Sequence, residues 1–424
     1  MKEINAAEFE KEVIRGGKVV LDFYSTECPP CDALAPKFEA VGELFAGEVK
    51  FFKIFRQENR ALAEKLGVTS SPTVLFFEDG KEVGFRLSGG IKRAELFEGL
   101  KILLGKEKIK EIKSSIDPVV TQCDVAILGG GPGGLTAGLY LCQAKIDAVL
   151  IDTGLPGGNV STTHQISNYP GFIDPQPGYM LSHYMSEQTK RCGTEYKVAV
   201  DVTRVDLEKK EIVIDEHETI KARKIIIATG TSPNLLNVPG EIELKGNGIS
   251  YCATCDAKYF VDKEVVVIGG GNSAIEEAEF ISKFAAKITI VHQFDKLQAN
   301  KQAQEKAFAN PKISFILEHE PRAFRKLKDG RVITEIEDLK SGERKEVIAD
   351  GVFIFIGMKP NLNSLKGNLK LDKWGYISTD EDMKTNIPDV FAVGDVKSKK
   401  YRQITTAIAD GTIAAIAITK ELEK

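Results

Sequence analysis

The sequence predicts an α/β protein of about three domains, and three observations carry that prediction. The chain has 424 residues, which is more than one ordinary hydrophobic core accommodates. Apolar strand-like runs alternate with helical patterns through the first 105 residues. Two glycine-rich turns, which begin at Gly129 and Gly269, each follow an apolar strand and open a helix. A hydrophobic content of 42% and a charged content of 28% fit such a globular protein.

Charge and hydropathy exclude several classes of partner. A net charge of −4 offers no broad basic field, so we expect neither a nucleic-acid partner nor an anionic membrane partner. The N-terminal MKEINAAEFEKEV lacks the apolar core of a secretory signal. The apolar stretch at 404–418 contains Asp410 and is shorter than the roughly 20 residues that span a bilayer. These features predict a cytoplasmic protein.

The seven cysteines point to redox chemistry. Four of them form two Cys-x-x-Cys pairs, a use typical of catalysis or metal binding in a reducing compartment. A zinc site would need further ligands near each pair, and the five scattered histidines do not supply them, so no metal is predicted. Cys123, Cys142 and Cys192 stand alone in the sequence and are interpreted as ordinary apolar or half-exposed residues.

Residues 1–105 predict one domain that carries the first cysteine pair. Its element order is β-α-β-α-β-β-α, beginning with the strand KVVLDFY at 18–24 and a helix after Cys31. Cys28 then stands at a helix N-terminus, where the dipole and free N–H groups lower a thiol pKa and favour the attacking thiolate. Residues 106–121 are charged, include Pro118 and predict a flexible linker.

A second domain is predicted from residue 122, where a strand feeds the first glycine-rich turn. Gly129 permits the tight turn, Gly131 lets backbone N–H groups approach a pyrophosphate, and Gly134 packs the helix on the strand. Asp152 ends the next strand, where an acid holds a ribose hydroxyl. The pattern is typical of a dinucleotide-binding fold.

The turn at Gly269, Gly271 and Ala274 predicts a second Rossmann-like fold. We expect it to be inserted in the first, with the strand VFAVGDV and the C-terminal helix returning to complete the earlier sheet. The predicted boundaries are 122–238 and 351–424 for the first fold and 239–350 for the second.

The second cysteine pair lies just before the second glycine-rich strand, in Cys252-Ala253-Thr254-Cys255-Asp256. Two thiols at this spacing can close a disulfide, and Asp256 can shuttle the proton that thiol exchange requires. We therefore predict a redox pair here.

Residues 122–424 closely resemble the low-molecular-weight thioredoxin reductase family. The resemblance rests on GGGPGGLTAG, PGGN at 156–159, NYPGF at 168–172, ATG at 228–230, CATCD, GGGNSA, FIG at 355–357, VFAVGD at 390–395 and RQITTA at 402–407. It implies that the first fold binds FAD and that the chain is a homodimer. The cofactor-binding residues implied are Gly129, Gly131, Pro132, Gly133, Gly134, Asp152, Gly158, Asn159, His164, Asn168, Ala228, Gly230, Asp395, Arg402, Gln403 and Ile404, with Gly269, Gly271, Asn272 and Ser273 in the second fold.

The same resemblance implies roles for the inner cysteine pair. Cys255 is expected nearest the flavin, Cys252 is expected to attack the outgoing disulfide, and Asp256 is expected to act as the acid. In that family the inner domain rotates between flavin-reducing and disulfide-reducing poses, and we expect the same here.

The sequence departs from the family where the nucleotide is chosen. Members that use NADPH carry His-Arg-Arg and a further arginine to grip the 2′-phosphate, whereas residues 292–298 read HQFDKLQ. Losing three guanidinium groups disfavours NADPH. NADH usually needs an acid at this strand end, which is absent, and relatives that use ferredoxin also lack the arginines. NADH or reduced ferredoxin is therefore expected as the donor ahead of NADPH. Lys296 has two interpretations, a contact with a phosphate group or a solvated surface charge.

The N-terminal domain resembles thioredoxin through LDFYSTECPPC, SSPTVLFFEDGKEV and RLSGG, which implies a thioredoxin fold. The resemblance makes Pro72 a cis-proline facing Cys28 and Cys31, and Asp22 a buried carboxylate near Cys31. The family's usual WCGPC is ECPPC here, which changes the partner-facing residue to Glu27.

The predicted function is disulfide reduction. Electrons would pass from a donor through FAD and Cys252/Cys255 to Cys28/Cys31, and on to disulfide proteins, a peroxiredoxin among them. Three alternatives remain: a reductase dedicated to a peroxiredoxin, an oxygen-using dithiol oxidase, and a flavin redox sensor without turnover. The first of these carries tandem N-terminal folds, whereas about 105 residues hold one.

Overall fold

A computed structural model describes residues 1–163, 166 and 168–423, and of Cys255 the backbone alone. The described residues form two compact units. The first contains Met1–Gly158, Ser182–Gly230 and Leu362–Lys424, and the second contains Asn159–Leu181 and Thr231–Asn361. The α/β class predicted from the sequence is confirmed.

The N-terminal domain is a mixed sheet covered by helices on both faces. Its central strand, KVVLDFY, is apolar along most of its length because each face packs against a separate buried cluster. The strand order is β1-β3-β2-β4-β5, with β6 also paired to β4. The elements are β1 (Lys2–Glu3), α1 (Ala6–Phe9), β2 (Lys18–Tyr24), α2 (Pro29–Leu44), β3 (Lys50–Phe55), α3 (Arg60–Lys65), β4 (Thr73–Glu78), β5 (Lys81–Glu82), β6 (Leu87–Ser88), α4 (Arg93–Leu104) and α5 (Lys106–Ser114).

Helix α5 corrects the prediction of a flexible linker at 106–121. Ile109 is 1% exposed and belongs to the core of the N-terminal domain, with Ile112 and Ile116 packed against the same cluster. These isoleucines recur at helical spacing among lysines and glutamates, so one face of the charged segment is apolar. The sequence prediction relied on the high charge of residues 106–121 and therefore missed this apolar face.

The first part of the next sheet runs from β7 to β12. Its strand order is β10-β11-β12-β7-β8-β9, in which β12, β7, β8 and β9 are parallel. The elements are β7 (Val119–Leu128), α6 (Pro132–Gln143), β8 (Ala148–Asp152), α7 (Gly178–Cys192), β9 (Glu195–Val198), β10 (Val202–Asp206), β11 (Glu211–Ile214) and β12 (Glu218–Ile227).

The second unit contains a parallel sheet of order β14-β21-β15-β16-β17, a three-stranded antiparallel sheet β18-β19-β20 and the ribbon β13-β22. Its elements are β13 (Thr231–Pro233), β14 (Ile249–Ser250), α8 (Ala253–Asp256), β15 (Glu264–Ile268), α9 (Asn272–Ile281), β16 (Lys287–His292), α10 (Lys301–Ala309), β17 (Ile313–Leu317), β18 (His319–Lys326), β19 (Val332–Asp338), β20 (Arg344–Ala349), β21 (Gly351–Ile354) and β22 (Met358–Pro360).

The chain then returns to the first sheet through β23 (Leu365–Lys366), β24 (Val390–Ala392) and α11 (Ile404–Leu422). Strand β24 pairs in parallel with Ile225–Ile227 of β12, and β23 pairs with β10. The predicted insertion of one dinucleotide-type fold in the other is thereby confirmed.

The two compact units meet at 230/231 and 361/362, whereas the sequence predicted boundaries at 238/239 and 350/351. The antiparallel pairing of Thr231–Pro233 with Met358–Pro360 holds both crossing segments with the inserted unit. Residues 159–181 also group with that unit. Within the described part of the chain, no helix is long and apolar enough to cross a membrane.

We predict that Ile109→Ala destabilises the N-terminal domain by about 2–4 kcal/mol, because it leaves a cavity in the core. Hydrogen exchange of β2 and β4 amides in the full chain measures this loss. Val120→Ala, at a position that is 55% exposed, serves as the control and should change little. Equal exchange in both variants would mean that α5 adds nothing to the domain.

Candidate functional site

The N-terminal disulfide joins Cys28, the residue that caps α2, to Cys31 in the first turn of that helix. The Sγ of Cys28 accepts a hydrogen bond from the backbone N–H of Cys31 at 3.3 Å. The Ser71–Pro72 peptide is cis, and the Ser71 carbonyl oxygen lies 3.5 Å from the same Sγ. In the reduced state, the helix N-terminus and this N–H would stabilise a Cys28 thiolate.

Asp22 is a buried acid in the strand that leads to this disulfide. It is 5% exposed, and its Oδ1 has no hydrogen-bond partner among the described residues. Burial raises the pKa of the Asp22 carboxyl to about 7, and the Lys53 charge on the neighbouring strand only partly opposes this. An acid that titrates near neutrality can give or take a proton at physiological pH.

Polar contacts join α2 to the following sheet within the first unit. The ammonium of Lys37 donates to the carbonyl oxygens of Ile91, Val198 and Ala199 at 2.9, 3.1 and 2.8 Å. Burial lowers the pKa of Lys37 to about 8. These contacts involve residues far apart in sequence, and no local pattern predicted them.

The first glycine-rich turn has the geometry of a pyrophosphate cradle. Gly129 has φ +111°, and a Cβ there would lie 2.3 Å from the Ala228 carbonyl oxygen. A Cβ at Gly134 would lie 2.0 Å from the Gly129 carbonyl oxygen, so strand and helix approach each other closely. In contrast, a Cβ at Gly131 would have no heavy atom within 4 Å. The space above Gly131 and the N-terminus of α6 therefore admits a phosphate group.

Asp152 braces this turn from the end of the neighbouring strand. Its carboxylate accepts hydrogen bonds from the backbone N–H groups of Gly130 at 2.6 Å and Gly154 at 2.8 Å. Burial raises its pKa despite these two bonds. Gly158 has φ +56°, and a Cβ there would lie 3.2 Å from the Cα of Gly131. Remaining lone pairs of Asp152 are available to a ribose hydroxyl.

The C-terminal segment brings further polar groups to the same edge. Asp395 Oδ1 is buried without a hydrogen-bond partner among the described residues, although Lys399 Nζ lies 3.5 Å away. Arg402 Nε donates to the Asp395 carbonyl oxygen at 3.3 Å, and its guanidinium lies 3.7 Å from the ring centre of Tyr376. Gln403 caps α11, which begins at Ile404.

These groups meet because β8, β7, β12 and β24 are parallel neighbours, so their carboxyl ends share one sheet edge. The open space at Gly131, the orphaned Asp395 oxygen and the braced turn fit a bound FAD. The residues placed at this edge are Gly129, Gly131, Pro132, Gly133, Gly134, Asp152, Gly158, Ala228, Gly230, Asp395, Arg402, Gln403 and Ile404.

Two other predicted cofactor residues, Asn159 and Asn168, belong to the second unit. Asn159 donates from Nδ2 to the Thr231 carbonyl oxygen at 3.0 Å, and Asn168 is exposed. His164 lies outside the described residues. Asp410, in the first unit, was not predicted as a site residue. Its carboxylate accepts a hydrogen bond from the backbone N–H of Gly394 at 3.0 Å. In the sequence, only the presence of an acid within an apolar helical run indicated it.

The inner cysteine pair stands at a sheet edge in the second unit. Cys252 is disulfide-bonded, and its backbone N–H donates to Ser250 Oγ at 3.1 Å. Its Sγ lies 3.7 Å from the Thr162 carbonyl oxygen. Asp256 ends the short helix α8 and is half-buried, and the side chain of Cys255 lies outside what the structure describes.

The second glycine-rich turn repeats the geometry of the first. Gly269 has φ +129°, and a Cβ there would lie 2.3 Å from the Phe355 carbonyl oxygen, whereas a Cβ at Gly271 would have open space to 4 Å. Asn272 and Ser273 begin α9 and are exposed. Because β14 and β15 are parallel strands of one sheet, Cys252 and this turn share an edge.

His292 ends β16 and packs on the second turn. It is buried, and a Cβ at Gly270 would lie 2.5 Å from its ring. Burial lowers the pKa of His292, which favours the neutral ring. The side chains of residues 293–296, including Lys296, are exposed. The sequence identified this segment as unusual but did not predict the burial of His292.

Comparisons with known proteins agree with this architecture. A model of the pyridine nucleotide-disulphide oxidoreductase family matches residues 123–411, and a thioredoxin model matches residues 1–101. A thioredoxin reductase of Peptoclostridium acidaminophilum is 45% identical over 309 residues, covering 71% of this chain and 97% of that protein. The chain belongs to the thioredoxin reductase family.

Further relatives and solved structures resemble this chain over similar lengths. A 34.2 kDa protein in the rubredoxin operon of Clostridium pasteurianum is 40% identical over 300 residues, 70% of this chain and 97% of that protein. The structure of Lactococcus lactis thioredoxin reductase in its FR conformation has a TM-score of 0.66 at 38% identity, covering 70% of this chain and 98% of that one. The T. acidophilum reductase gives 0.65 at 31% identity, covering 72% and 99%. Family membership makes this chain an FAD-dependent disulfide oxidoreductase with an N-terminal thioredoxin domain.

We predict that Gly131→Ala folds normally but loses FAD. The added Cβ meets no atom of the chain within 4 Å, yet it occupies the space of the pyrophosphate. Flavin absorbance per chain after purification measures the loss, and circular dichroism checks the fold. Full flavin content in this variant would show that the cofactor does not approach Gly131.

We predict that Asp22→Asn stabilises the thioredoxin domain in a pH-dependent way. Since the carboxyl pKa is about 7 when folded and 3.8 when unfolded, folding takes up a proton between these values and wild-type stability falls as pH rises. The variant should exceed the wild type by roughly 4 kcal/mol at pH 8 and by almost nothing at pH 4.

Calorimetry of the full chain at both pH values measures this difference. The exposed Asp117→Asn serves as the control and should leave stability unchanged at both. A gain that is equal at pH 8 and pH 4 would refute a raised pKa for Asp22.

Proposed function

We propose that this chain is a thioredoxin-reductase-type enzyme whose inner pair Cys252/Cys255 reduces its own outer pair Cys28/Cys31, which then reduces disulfide proteins. The observation that carries the proposal is the outer pair: a disulfide at a helix N-terminus, faced by a cis-proline loop, in a domain fused to a flavin disulfide oxidoreductase. The fusion keeps both pairs on one chain and raises their effective concentration.

Bound FAD would supply two-electron transfer from a donor to a disulfide. The residues at the edge shared by β8, β7, β12 and β24 would hold it, with the N–H groups of α6 on its pyrophosphate and Asp152 on its ribose. The orphaned oxygen of Asp395 would accept a hydrogen bond from it.

Thiol exchange carries the electrons between the pairs. The Cys252 thiolate attacks Sγ of Cys28, the Cys28–Cys31 bond breaks, and the Cys31 thiolate leaves. Cys255 then attacks Cys252, which restores the inner disulfide and releases Cys28. Release of Cys28 in this second step is favoured because Cys28 stands at the helix N-terminus, where its outgoing thiolate is stabilised.

Two acids would manage the protons of this exchange. Asp22, with a pKa near 7, would give a proton to the leaving Cys31 and recover it from water. Asp256, which closes the CATCD turn, would serve the inner pair in the same way.

The donor is proposed to be NADH or reduced ferredoxin rather than NADPH. The arginines that grip a 2′-phosphate are absent from 292–298, and the buried His292 provides no cation at neutral pH. The open space at Gly271 supports a dinucleotide. The similarity to a protein in a rubredoxin operon supports an iron protein as the alternative donor.

The acceptors are proposed to be disulfide proteins, a peroxiredoxin among them, and the enzyme a cytoplasmic homodimer. The free thiol of Cys123 fits a reducing compartment.

Anaerobic mixing with NADH, NADPH or reduced ferredoxin tests the donor through bleaching of the flavin. We expect NADH or ferredoxin to bleach it faster than NADPH. If NADH is the donor, Gly271→Ala should slow this step at least about tenfold, because its Cβ enters the space of the pyrophosphate. Bleaching by dithionite is the control and should be unchanged.

Faster bleaching by NADPH would contradict the donor assignment. Failure of all three donors, together with dithiol consumption in air, would favour a dithiol oxidase. Bleaching without steady-state reduction of any protein disulfide would favour a redox sensor.

A further inference from the structure

Two of the free cysteines, separated by 50 residues in sequence, lie together in the first unit. Cys142 is in the last turn of α6, and Cys192 is the last residue of α7. The Sγ of Cys142 lies 2.7 Å from the Cys192 carbonyl oxygen, and the two thiols interact directly. Both residues are half-exposed. The thiols are therefore in contact with each other and accessible to a reactant.

Packing holds the two helix ends in this arrangement. Thr189 Oγ1 donates to the Leu135 carbonyl oxygen and Thr194 Oγ1 to the Gly138 carbonyl oxygen, each at 3.0 Å. Gly193, which follows Cys192, has no side chain, and a Cβ placed there would lie 3.5 Å from Sγ of Cys142. Bonds on both sides of Cys192 thus fix α7 against α6 and keep the two cysteines together.

We propose that Cys142 and Cys192 form a third dithiol–disulfide couple of this chain, oxidised by disulfides. One thiolate attacks a disulfide RSSR, which forms a mixed disulfide and releases one RSH. The other thiolate then attacks the mixed disulfide, the Cys142–Cys192 bond forms, and the second RSH leaves. Two electrons pass from the pair to RSSR, and the two thiol protons end on the released thiols.

The environment of this couple is the opposite of that of Cys28. Both cysteines lie at helix C-termini, and at Cys142 the dipole of α6 disfavours a thiolate. Burial, reinforced by the neighbouring thiol, raises the pKa of Cys142 to about 11. Thiols of high pKa attack slowly and are poor leaving groups, so the disulfide forms slowly and resists reduction once formed.

The couple lies near the outer redox helix. Lys190, within one turn of Cys192, forms an ion pair with Asp32 at 3.2 Å, and Asp32 directly follows Cys31. Helix α2 therefore meets α7 close to the third couple. The other end of α6 is the glycine-rich turn, so a disulfide would link the end of the cofactor helix to α7.

A redox titration of the full chain tests the proposal without donor or turnover. The reduced protein is equilibrated anaerobically with mixtures of reduced and oxidised glutathione, denatured, alkylated and mapped by mass spectrometry. We expect a peptide pair linked through Cys142 and Cys192. The Cys142–Cys192 disulfide should remain at a ratio of reduced to oxidised glutathione at least about tenfold higher than the ratio that reduces the Cys28–Cys31 disulfide. Buried Cys123, which has no thiol neighbour among the described residues, should remain alkylated.

Cys142→Ala and Cys192→Ala should each abolish the linked peptide, and Cys123→Ala should retain it. The wild-type map decides the question even if a variant fails to fold. The proposal is overturned if Cys142 and Cys192 are both alkylated, or each carry one glutathione, where Cys28/Cys31 are fully oxidised. That outcome would leave the proposed disulfide reduction untouched, since the titration does not involve flavin turnover.

Discussion

The parallel pairing of β12 with both β7 and β24 is the contact on which the rest of the structure depends. Ile225–Ile227 pair with Ala126–Leu128 on one side and with Val390–Ala392 on the other. Three strands that are distant in sequence thus end at one edge, which gathers Gly129, Ala228 and Asp395. The same pairing obliges the intervening residues to fold as an inserted unit.

The thiol environments differ in a way that orders the redox chemistry. Cys28 caps a helix, and its sulfur accepts a backbone N–H, so the thiolate is stabilised there. Cys142 lies at a helix C-terminus with its pKa raised to about 11, and Cys123 is buried with its pKa raised to about 12, so these two thiols react more slowly. Position in the secondary structure and burial together therefore distinguish Cys28, the proposed outlet for electrons, from the slower thiols.

The sequence predicted features that depend on local physics. The turns at Gly129 and Gly269 were predicted because a tight turn from a strand into a helix favours glycine, and both residues have a positive φ. The insertion was predicted because the strand at 390–392 and the last helix match the pattern of a returning element. The family resemblance then supplied FAD and the direction of electron flow, which no spacing rule gives.

Features that depend on distant contacts were missed. The apolar face of α5 was hidden by the charges around Ile109, and the ribbon β13-β22 joins segments more than a hundred residues apart. Cys142 and Cys192 are neighbours in a region where two threonines join α7 and the residues after it to α6. Each required tertiary packing that residue spacing does not encode.

Trapping the mixed disulfide between the two redox pairs tests the proposed electron route. Cys31→Ser/Cys255→Ser leaves Cys252 as the attacking sulfur and Cys28 as the sulfur attacked, and Cys31→Ser/Cys252→Ser is its matched control. After Cys28 is activated with an aromatic disulfide, the account predicts a peptide that joins Cys28 to Cys252 in the first variant and no Cys28–Cys255 link in the control. A Cys28–Cys255 link in the control, or no link in the first variant, would contradict it.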